Sequence, residues 1–142
     1  MRKLPIIGLL ILCVLNTSCT SVSYLSQLIA LRGMSYWEMQ CSTYITEAKG
    51  FRHCGAGEFW NNGCGGALAT VAEAPSYQAI DYSVLRAGDV LAFHGVHVAA
   101  YVGDGRFFDS DPTHGGVGPM TPDAIHNDTW FSGKVKILRW KN

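Results

Sequence analysis

The sequence predicts an α+β domain, because the hydrophobic pattern changes between its two halves. Apolar residues recur at spacings of three and four over residues 24–31, which is typical of an amphipathic helix. The second half instead contains short β-branched or aromatic runs (DVLAFH, HVAAYV, RFFD and KVKILRW) separated by glycine and proline. Helices followed by an antiparallel sheet define the α+β class, and a length of 142 residues suits one domain.

Glycines and turn residues set the expected limits of the individual elements. The first helix is predicted to end at Gly33, and a second helix over residues 40–49 is predicted to end at Gly50. Composition alone predicts three further segments, namely a glycine-rich loop at 51–66, a short helix at 67–74 and a helical turn at 121–130.

The N-terminus has the layout of a secretory signal peptide. A positive start, MRK, precedes an apolar run, LPIIGLLILCVL, and a small polar stretch. The run is shorter than the roughly 20 residues that span a bilayer. Cys19 follows it in a way that resembles the lipobox of bacterial lipoproteins, so both lipidation at Cys19 and ordinary cleavage nearby stay open. We expect a signal at 1–19 and a mature domain at 20–142, exported to the periplasm, anchored at the outer membrane or secreted.

The charge balance bears on the choice of partner. The chain has eleven basic and eleven acidic residues, and loss of Arg2 and Lys3 with the signal leaves nine against eleven, a charge of about −2. No basic stripe is present in the sequence, so a nucleic-acid partner is not expected.

The stretch HVAAYVGDGRFFD, residues 97–109, predicts a hairpin that brings a histidine to a carboxylate. With a three-residue turn over 103–105, His97, Asp109 and Asp111 share one face of the hairpin. A two-residue turn would move Asp109 to the other face. The spacing therefore predicts a His–Asp pair but does not choose between Asp109 and Asp111, and a simple surface ion pair is the alternative.

A cysteine at the start of the second helix is the candidate third partner. Cys41 falls where the helix macrodipole and unpaired amides favour a thiolate, and a histidine partner favours it further. The thiolate would be a nucleophile, His97 would deliver the proton to a leaving amine, and the first helical amides would stabilise an oxyanion. The alternative is a buried structural cysteine.

Three stretches within residues 33–109 resemble the NlpC/P60 cysteine peptidases. GMSYWEMQCSTYI is similar to that family's tyrosine–tryptophan–glycine lead into Asp-Cys-Ser-Gly, GDVLAFHG to its Gly-Asp-Leu-Val-Phe-Phe strand, and HVAAYVGDGRFFD to its His-Val-Gly-Ile-Tyr-x-Gly-Asp-Gly hairpin. The resemblance implies a papain-like fold in which N-terminal helices carry the nucleophile and pack on a small antiparallel sheet.

The resemblance also implies roles for individual residues. Cys41 becomes the nucleophile, His97 the general base and Asp109, in preference to Asp111, the residue that orients the imidazole. Tyr36 matches a tyrosine whose hydroxyl lines the site and helps the oxyanion.

The chain departs from the family pattern around the nucleophile. Gln40 replaces the acid before the cysteine, Thr43 replaces the glycine after the serine, and Glu38 and Met39 replace the glycines after the tryptophan. The third polar residue is often histidine in the family and is Asp here. These changes bear on substrate detail more than on the chemistry, because Asp orients an imidazole as well as His does.

Family members mostly cleave peptide bonds in bacterial cell-wall peptides, often next to D-glutamate. The resemblance thus implies a monomeric hydrolase of peptidoglycan stem peptides that uses no cofactor or metal and meets a membrane only through a signal or lipid anchor. Three alternatives stay open. They are an amidase or acyltransferase of the same superfamily acting on a lipid or small amide, an inactive cell-wall binding module, and a disulfide-stapled interaction protein.

The remaining cysteines flank the glycine-rich loop. In an exported protein Cys54 and Cys64 would form a disulfide, worth roughly 3 kcal/mol in the chain-entropy model. A metal site that adds His53 and an inactivating Cys41–Cys54 bond are the alternatives.

Aromatic residues and histidines near the expected cleft receive weaker assignments. Phe59 and Trp60 either wall the cleft or fill the core. His114, just beyond the hairpin, would border the cleft, whereas His94 is expected at the surface.

Overall fold

The computed structural model describes residues 19–120 and 130–142. The signal peptide predicted at 1–19 lies outside this part except for Cys19, and so does most of the helical turn predicted at 121–130. The α-helices described are α1 (Cys19–Ala30), α2 (Cys41–Lys49) and α3 (Ala56–Gly66). The β-strands described are β1 (Leu68–Ala74), β2 (Val90–Phe93), β3 (His97–Gly103), β4 (Arg106–Asp111), β5 (Gly116–Pro119) and β6 (Val135–Trp140).

The strands form one antiparallel sheet in the order β1-β6-β2-β3-β4-β5. The helices pack on one face of this sheet. The other face is covered by side chains such as Ile80 and Phe131 from the connecting segments. The predicted α+β class is therefore confirmed.

The first two helices form close to their predicted limits. At the end of α2, Gly50 adopts a left-handed conformation (φ 67°), which glycine reaches without a Cβ penalty. The helices pack through Leu28 and Tyr44, both fully buried. The hydroxyl of Tyr44 donates a hydrogen bond of 2.6 Å to the carbonyl of Leu28, which ties α1 to α2.

Two local predictions are wrong, because tertiary packing overrides local propensity. The loop expected at 51–66 contains α3, which buries Phe59 and Cys64 and ends in left-handed residues at 63–65. The helix expected at 67–74 is instead β1, whose backbone pairs with β6. Alanine favours helices in isolation, but a strand ladder with a buried partner outweighs that preference.

The hairpin between β3 and β4 turns differently from the prediction and still keeps the predicted face. Its turn has two residues, Asp104 and Gly105, and both have positive φ (54° and 71°), as a type I′ turn requires. A bulge at Val102 adds the residue that the shorter turn lacks. The two differences cancel, so Asp109 lies on the same face as His97.

Candidate active site

Cys41 is the first residue of α2 and is partly exposed. The preceding residue, Gln40, has an extended backbone (φ −71°, ψ 167°), and its side chain does not cap the helix. The first amides of a helix have no partner within the helix. The thiol therefore lies beside free N–H groups at the positive end of the helix dipole, where a thiolate and an oxyanion are both stabilised.

The segment before α2 is held by strands on the other side of the site. The amide of Val117 in β5 donates a 2.9 Å hydrogen bond to the carbonyl of Met34. The hydroxyl of Ser110 in β4 donates to the carbonyl of Met39. A Cβ on Gly116 would collide with the Met34 carbonyl, so this close approach requires glycine. These contacts fix the start of α2 next to β4.

His97 opens β3 and is completely buried. Its Nε2 lies 2.8 Å from Oδ2 of Asp109. The indole of Trp130 stacks on the imidazole, with ring centroids 4.6 Å apart and planes 17° apart. Nδ1 has no partner of ordinary hydrogen-bond geometry among the described residues, yet Cys41 interacts with the ring. Because Asp109 occupies Nε2, Nδ1 is the nitrogen left for the thiol.

The surroundings of His97 favour its protonated form. Burial alone would lower its pKa, but hydrogen bonds to Asp109 and Cys41, together with their charges, raise the pKa of His97 to about 9. An imidazolium at neutral pH donates from both ring nitrogens, so it can bind the carboxylate and a thiolate at once.

Asp109 is fully buried and nevertheless ionised at neutral pH. Burial raises the pKa of a carboxyl group, but hydrogen bonds from His114 and His97 outweigh burial and hold the pKa of Asp109 below its usual value. Each oxygen has its own histidine, since Nε2 of His114 lies 3.0 Å from Oδ1. The predicted His–Asp pair is thus extended by a second imidazole.

The sequence predicts no chemical role for His114. This residue ends a short 3₁₀ turn, Pro112–His114, that follows β4, and its side chain is 23% exposed. Neither a strand period nor a helix period links Asp109 to a residue five positions later. Only its predicted location beside the cleft pointed toward the site.

Asp111, the alternative partner for His97, has a different function in the structure. Its Oδ1 accepts hydrogen bonds from the amide (2.7 Å) and hydroxyl (2.6 Å) of Thr113. Asp111 therefore caps the turn that carries His114.

Tyr36 borders the site from the segment before α2. Burial, followed by the charges of Cys41 and Asp111, raises the pKa of Tyr36, so its hydroxyl stays protonated and able to donate. Its ring lies edge-on to that of Trp37, with centroids 6.1 Å apart. Trp37 is 89% exposed and presents apolar surface to solvent beside the site.

The other predicted cysteines are bonded to each other. Cys54 and Cys64 form a disulfide with Cα atoms 5.7 Å apart, which excludes both a Cys41–Cys54 bond and thiolate ligation with His53. A disulfide is compatible with an exported protein. None of the helices in the described residues combines the length and apolarity needed to cross a membrane.

The two aromatic residues on α3 differ in their surroundings. Phe59 is fully buried in the core. Trp60 is partly buried and lies 5.3 Å, centroid to centroid, from the exposed ring of His94.

Two groups of donors in the described residues have the spacing of a metal site. The group of Cys54, Glu58 and Cys64 contains the two sulfurs that are joined in the disulfide, so those sulfurs are not free to ligate. Ligand atoms of Asp109, Asp111 and His114 lie within 4.8 Å of one another. Asp109 and His114 already bond to each other, and Asp111 bonds to Thr113. We therefore assign these donors to the hydrogen-bond network around His97.

Comparison with known proteins adds no identification. No protein-family model matches the chain, and no curated protein matches it. Its chemistry has to be inferred from its own side chains.

Proposed function

We propose that the chain is a cysteine hydrolase that cleaves amide bonds in peptidoglycan stem peptides. The observation that carries the proposal is a buried His97 that is bonded through Nε2 to the buried Asp109 and also interacts with the partly exposed Cys41. Buried ionisable groups cost free energy unless they are well paired, so such a cluster beside an exposed thiol suits chemistry better than stability.

In the resting pair the proton of Cys41 already lies on Nδ1 of His97, and the first half-reaction begins when the thiolate attacks the substrate carbonyl. A carbon–sulfur bond forms and the carbonyl oxygen becomes an oxyanion, stabilised by the first amides of α2 and the hydroxyl of Tyr36. When the carbon–nitrogen bond breaks, His97 gives its proton to the leaving amine. Asp109 remains ionised and holds the imidazole in place throughout.

In the second half-reaction water attacks the thioester. His97 removes a proton from the water and keeps it as an imidazolium, while the carbon–sulfur bond breaks and Cys41 departs as a thiolate. The products are an amine and a carboxylic acid, and the resting thiolate–imidazolium pair is restored.

Three observations support the substrate class. The stretches that resemble NlpC/P60 peptidases include all three residues of the cluster, in the family's order of cysteine, histidine and polar residue. The signal-like N-terminus and the disulfide are both suited to a protein that meets the cell wall. Trp37 supplies exposed apolar surface next to the nucleophile segment on which a substrate can pack.

The test is digestion of purified peptidoglycan, with Cys41→Ala in parallel and mass spectrometry of the released fragments. New peptides from the wild type alone would support the proposal and identify the bond. If neither protein releases peptides while Cys41 reacts readily with iodoacetamide, the substrate is another amide or an ester. If the thiol is also unreactive, the chain is a binding module.

A further inference from the structure

We infer that His114 is a positioning residue of this site, which holds Asp109 in the orientation that supports His97. The inference rests on the proposed function for its place in a reaction. The geometry of His114 is independent of the substrate, and the test needs only a measurement of the reactivity of the Cys41 thiol.

The carboxylate of Asp109 is fixed at two points. Oδ2 lies 2.8 Å from Nε2 of His97, and Oδ1 lies 3.0 Å from Nε2 of His114. The side chain of Asp109 has no exposed surface, so water cannot replace either bond. Rotation of the carboxylate would break both hydrogen bonds together. His114 therefore fixes the plane of the carboxylate group that His97 contacts.

The backbone around His114 is itself fixed. Asp111 caps the turn through Thr113, and Gly115 ends the turn in a left-handed conformation with φ 87°. A side chain on so short a turn has little freedom to move away from Asp109. The turn that holds His114 thus follows directly from β4, the strand that supplies Asp109.

The outer side of His114 reaches solvent, whereas the inner members of the network do not. It opens on a surface cavity of about 340 Å³ lined by Arg32, Gly33, His114, Val117, Gly118 and Pro119. His114 can therefore exchange protons with water, while Asp109 and His97 are both fully buried.

The charged and titratable groups around His114 come from several elements. Asp109 and Asp111 belong to β4, Arg32 lines the same cavity from the segment after α1, and Cys41 and Tyr36 lie on the far side of the network. The hydrogen bond to Asp109 raises the pKa of His114, burial opposes it, and the charges of both aspartates raise it further. Together these contacts favour the imidazolium form of His114.

Loss of His114 would leave Oδ1 of Asp109 buried without a partner. Burial would then raise the pKa of Asp109, since the bond from His114 is the largest influence that lowers it. A carboxyl group that protonates at higher pH stops supporting the His97 imidazolium at higher pH as well. Without His114, the thiolate–imidazolium pair would therefore be lost first at acid pH.

The experiment measures the rate at which iodoacetamide alkylates Cys41 as a function of pH, read by mass spectrometry of the peptide that contains this residue. The variants are His114→Ala, which removes the donor, and His114→Gln, which keeps an uncharged N–H donor. His53→Gln is the matched control, because His53 is exposed and lies outside the network. Alkylation needs no peptidoglycan, so the result does not depend on the substrate.

We expect the acid limb of the alkylation profile to move up by about one pH unit in His114→Ala, with a rate at pH 6 about tenfold lower. His114→Gln should lie between wild type and His114→Ala, and His53→Gln should match wild type. A purely structural role of His114 would lower stability without moving the limb.

An unchanged profile in folded His114→Ala would overturn the positioning role, whatever the substrate proves to be. If His114→Ala does not fold, His114→Gln decides, because its neutral donor should still move the limb upward by a fraction of a unit, and a wild-type profile there would overturn the role. A shifted limb in a protein that does not digest peptidoglycan would support the role and contradict the proposed substrate.

Discussion

Two of the three buried carboxylates in the described residues, Asp89 and Asp109, have different kinds of partner. Asp89 is 1% exposed and accepts two 2.7 Å hydrogen bonds from Arg139, whereas Asp109 is 0% exposed and is bonded to His97 and His114. A guanidinium keeps its charge at every pH that a protein meets, but an imidazole changes charge near neutrality. The network around Asp109 therefore responds to pH through its two imidazoles.

The difference shows that burial and pairing do not by themselves identify a catalytic carboxylate. Asp89 also accepts a 2.8 Å hydrogen bond from the backbone amide of Arg86, so it closes a turn and ties β6 to the start of β2. Asp109 instead belongs to a chain of groups that ends at a partly exposed thiol. Titratable partners and a nucleophile at the end of the network distinguish the second carboxylate.

The largest expected effect comes from removing the nucleophile. Cys41→Ala should lower hydrolysis by about five orders of magnitude or more, because no other group can form the thioester. Stability should change by less than about 1 kcal/mol, since the side chain is partly exposed. Fragment release and urea denaturation measure the two quantities. Undiminished hydrolysis by this variant would remove Cys41 from the mechanism.

A matched pair of variants separates the two carboxylates. Asp109→Asn should lower kcat/KM by about three to four orders of magnitude, because an amide cannot stabilise the imidazolium of His97. Asp89→Asn should leave the folded protein active and lower the free energy of unfolding by about 3 kcal/mol, because Arg139 loses its buried partner.

Activity and urea denaturation of both variants test this separation. An Asp89→Asn protein that is fully folded and inactive would erase the distinction between the two carboxylates. So would an Asp109→Asn protein with wild-type activity.

Features with a local signal were predictable from the sequence. The end of α2 follows from Gly50, and the face shared by His97 and Asp109 follows from the alternation of side chains along a strand. The face is correct although the turn is not, because the bulge at Val102 offsets the shorter turn. A bulge of this kind leaves no mark in the sequence that fixes its position.

Features that depend on distant partners were not predictable. Arg139 lies fifty residues from Asp89, and β1 is a strand only because β6 lies beside it. His114 reaches Asp109 through the shape of a turn rather than through any period. Pairings of this sort are decided by tertiary packing, which composition and periodicity do not encode.

The pH dependence of stability sharpens the comparison further. His97 has a folded-state pKa of about 9 against 6.5 for the free side chain, so its protonation stabilises the fold below pH 6.5. That contribution, on the order of 3 kcal/mol at most, should be lost as the pH rises from 6.5 through 9. The guanidinium of Arg139 should contribute nothing to this slope, because it keeps its charge over this range.

Urea denaturation at several pH values measures the slope. His97→Asn should flatten the decline between pH 6.5 and 9, and Asp89→Asn should be less stable with the decline intact. An undiminished slope in His97→Asn would assign the titration to another group, of which His114 is the nearest.

The smallest expected effect distinguishes Asp111 from Asp109. Asp109→Ala should cost far more activity than Asp111→Ala, because Asp111 acts on the turn and not on His97. Asp111→Ala should lower stability by about 1 kcal/mol through the lost cap. Its activity loss should stay within about tenfold and should appear mainly at acid pH, because the freed turn displaces His114.

Asp111→Asn is the matched control for this last prediction, since its amide oxygen can still accept from Thr113 and hold the turn. If Asp111 acts through His114, Asp111→Ala should add almost nothing to the activity loss of His114→Ala in the double variant. Additive losses, measured as kcat/KM across the acid limb, would mean that Asp111 has its own contact with the reaction. A larger loss from Asp111→Ala than from Asp109→Ala would mean that the wrong carboxylate has been assigned to His97.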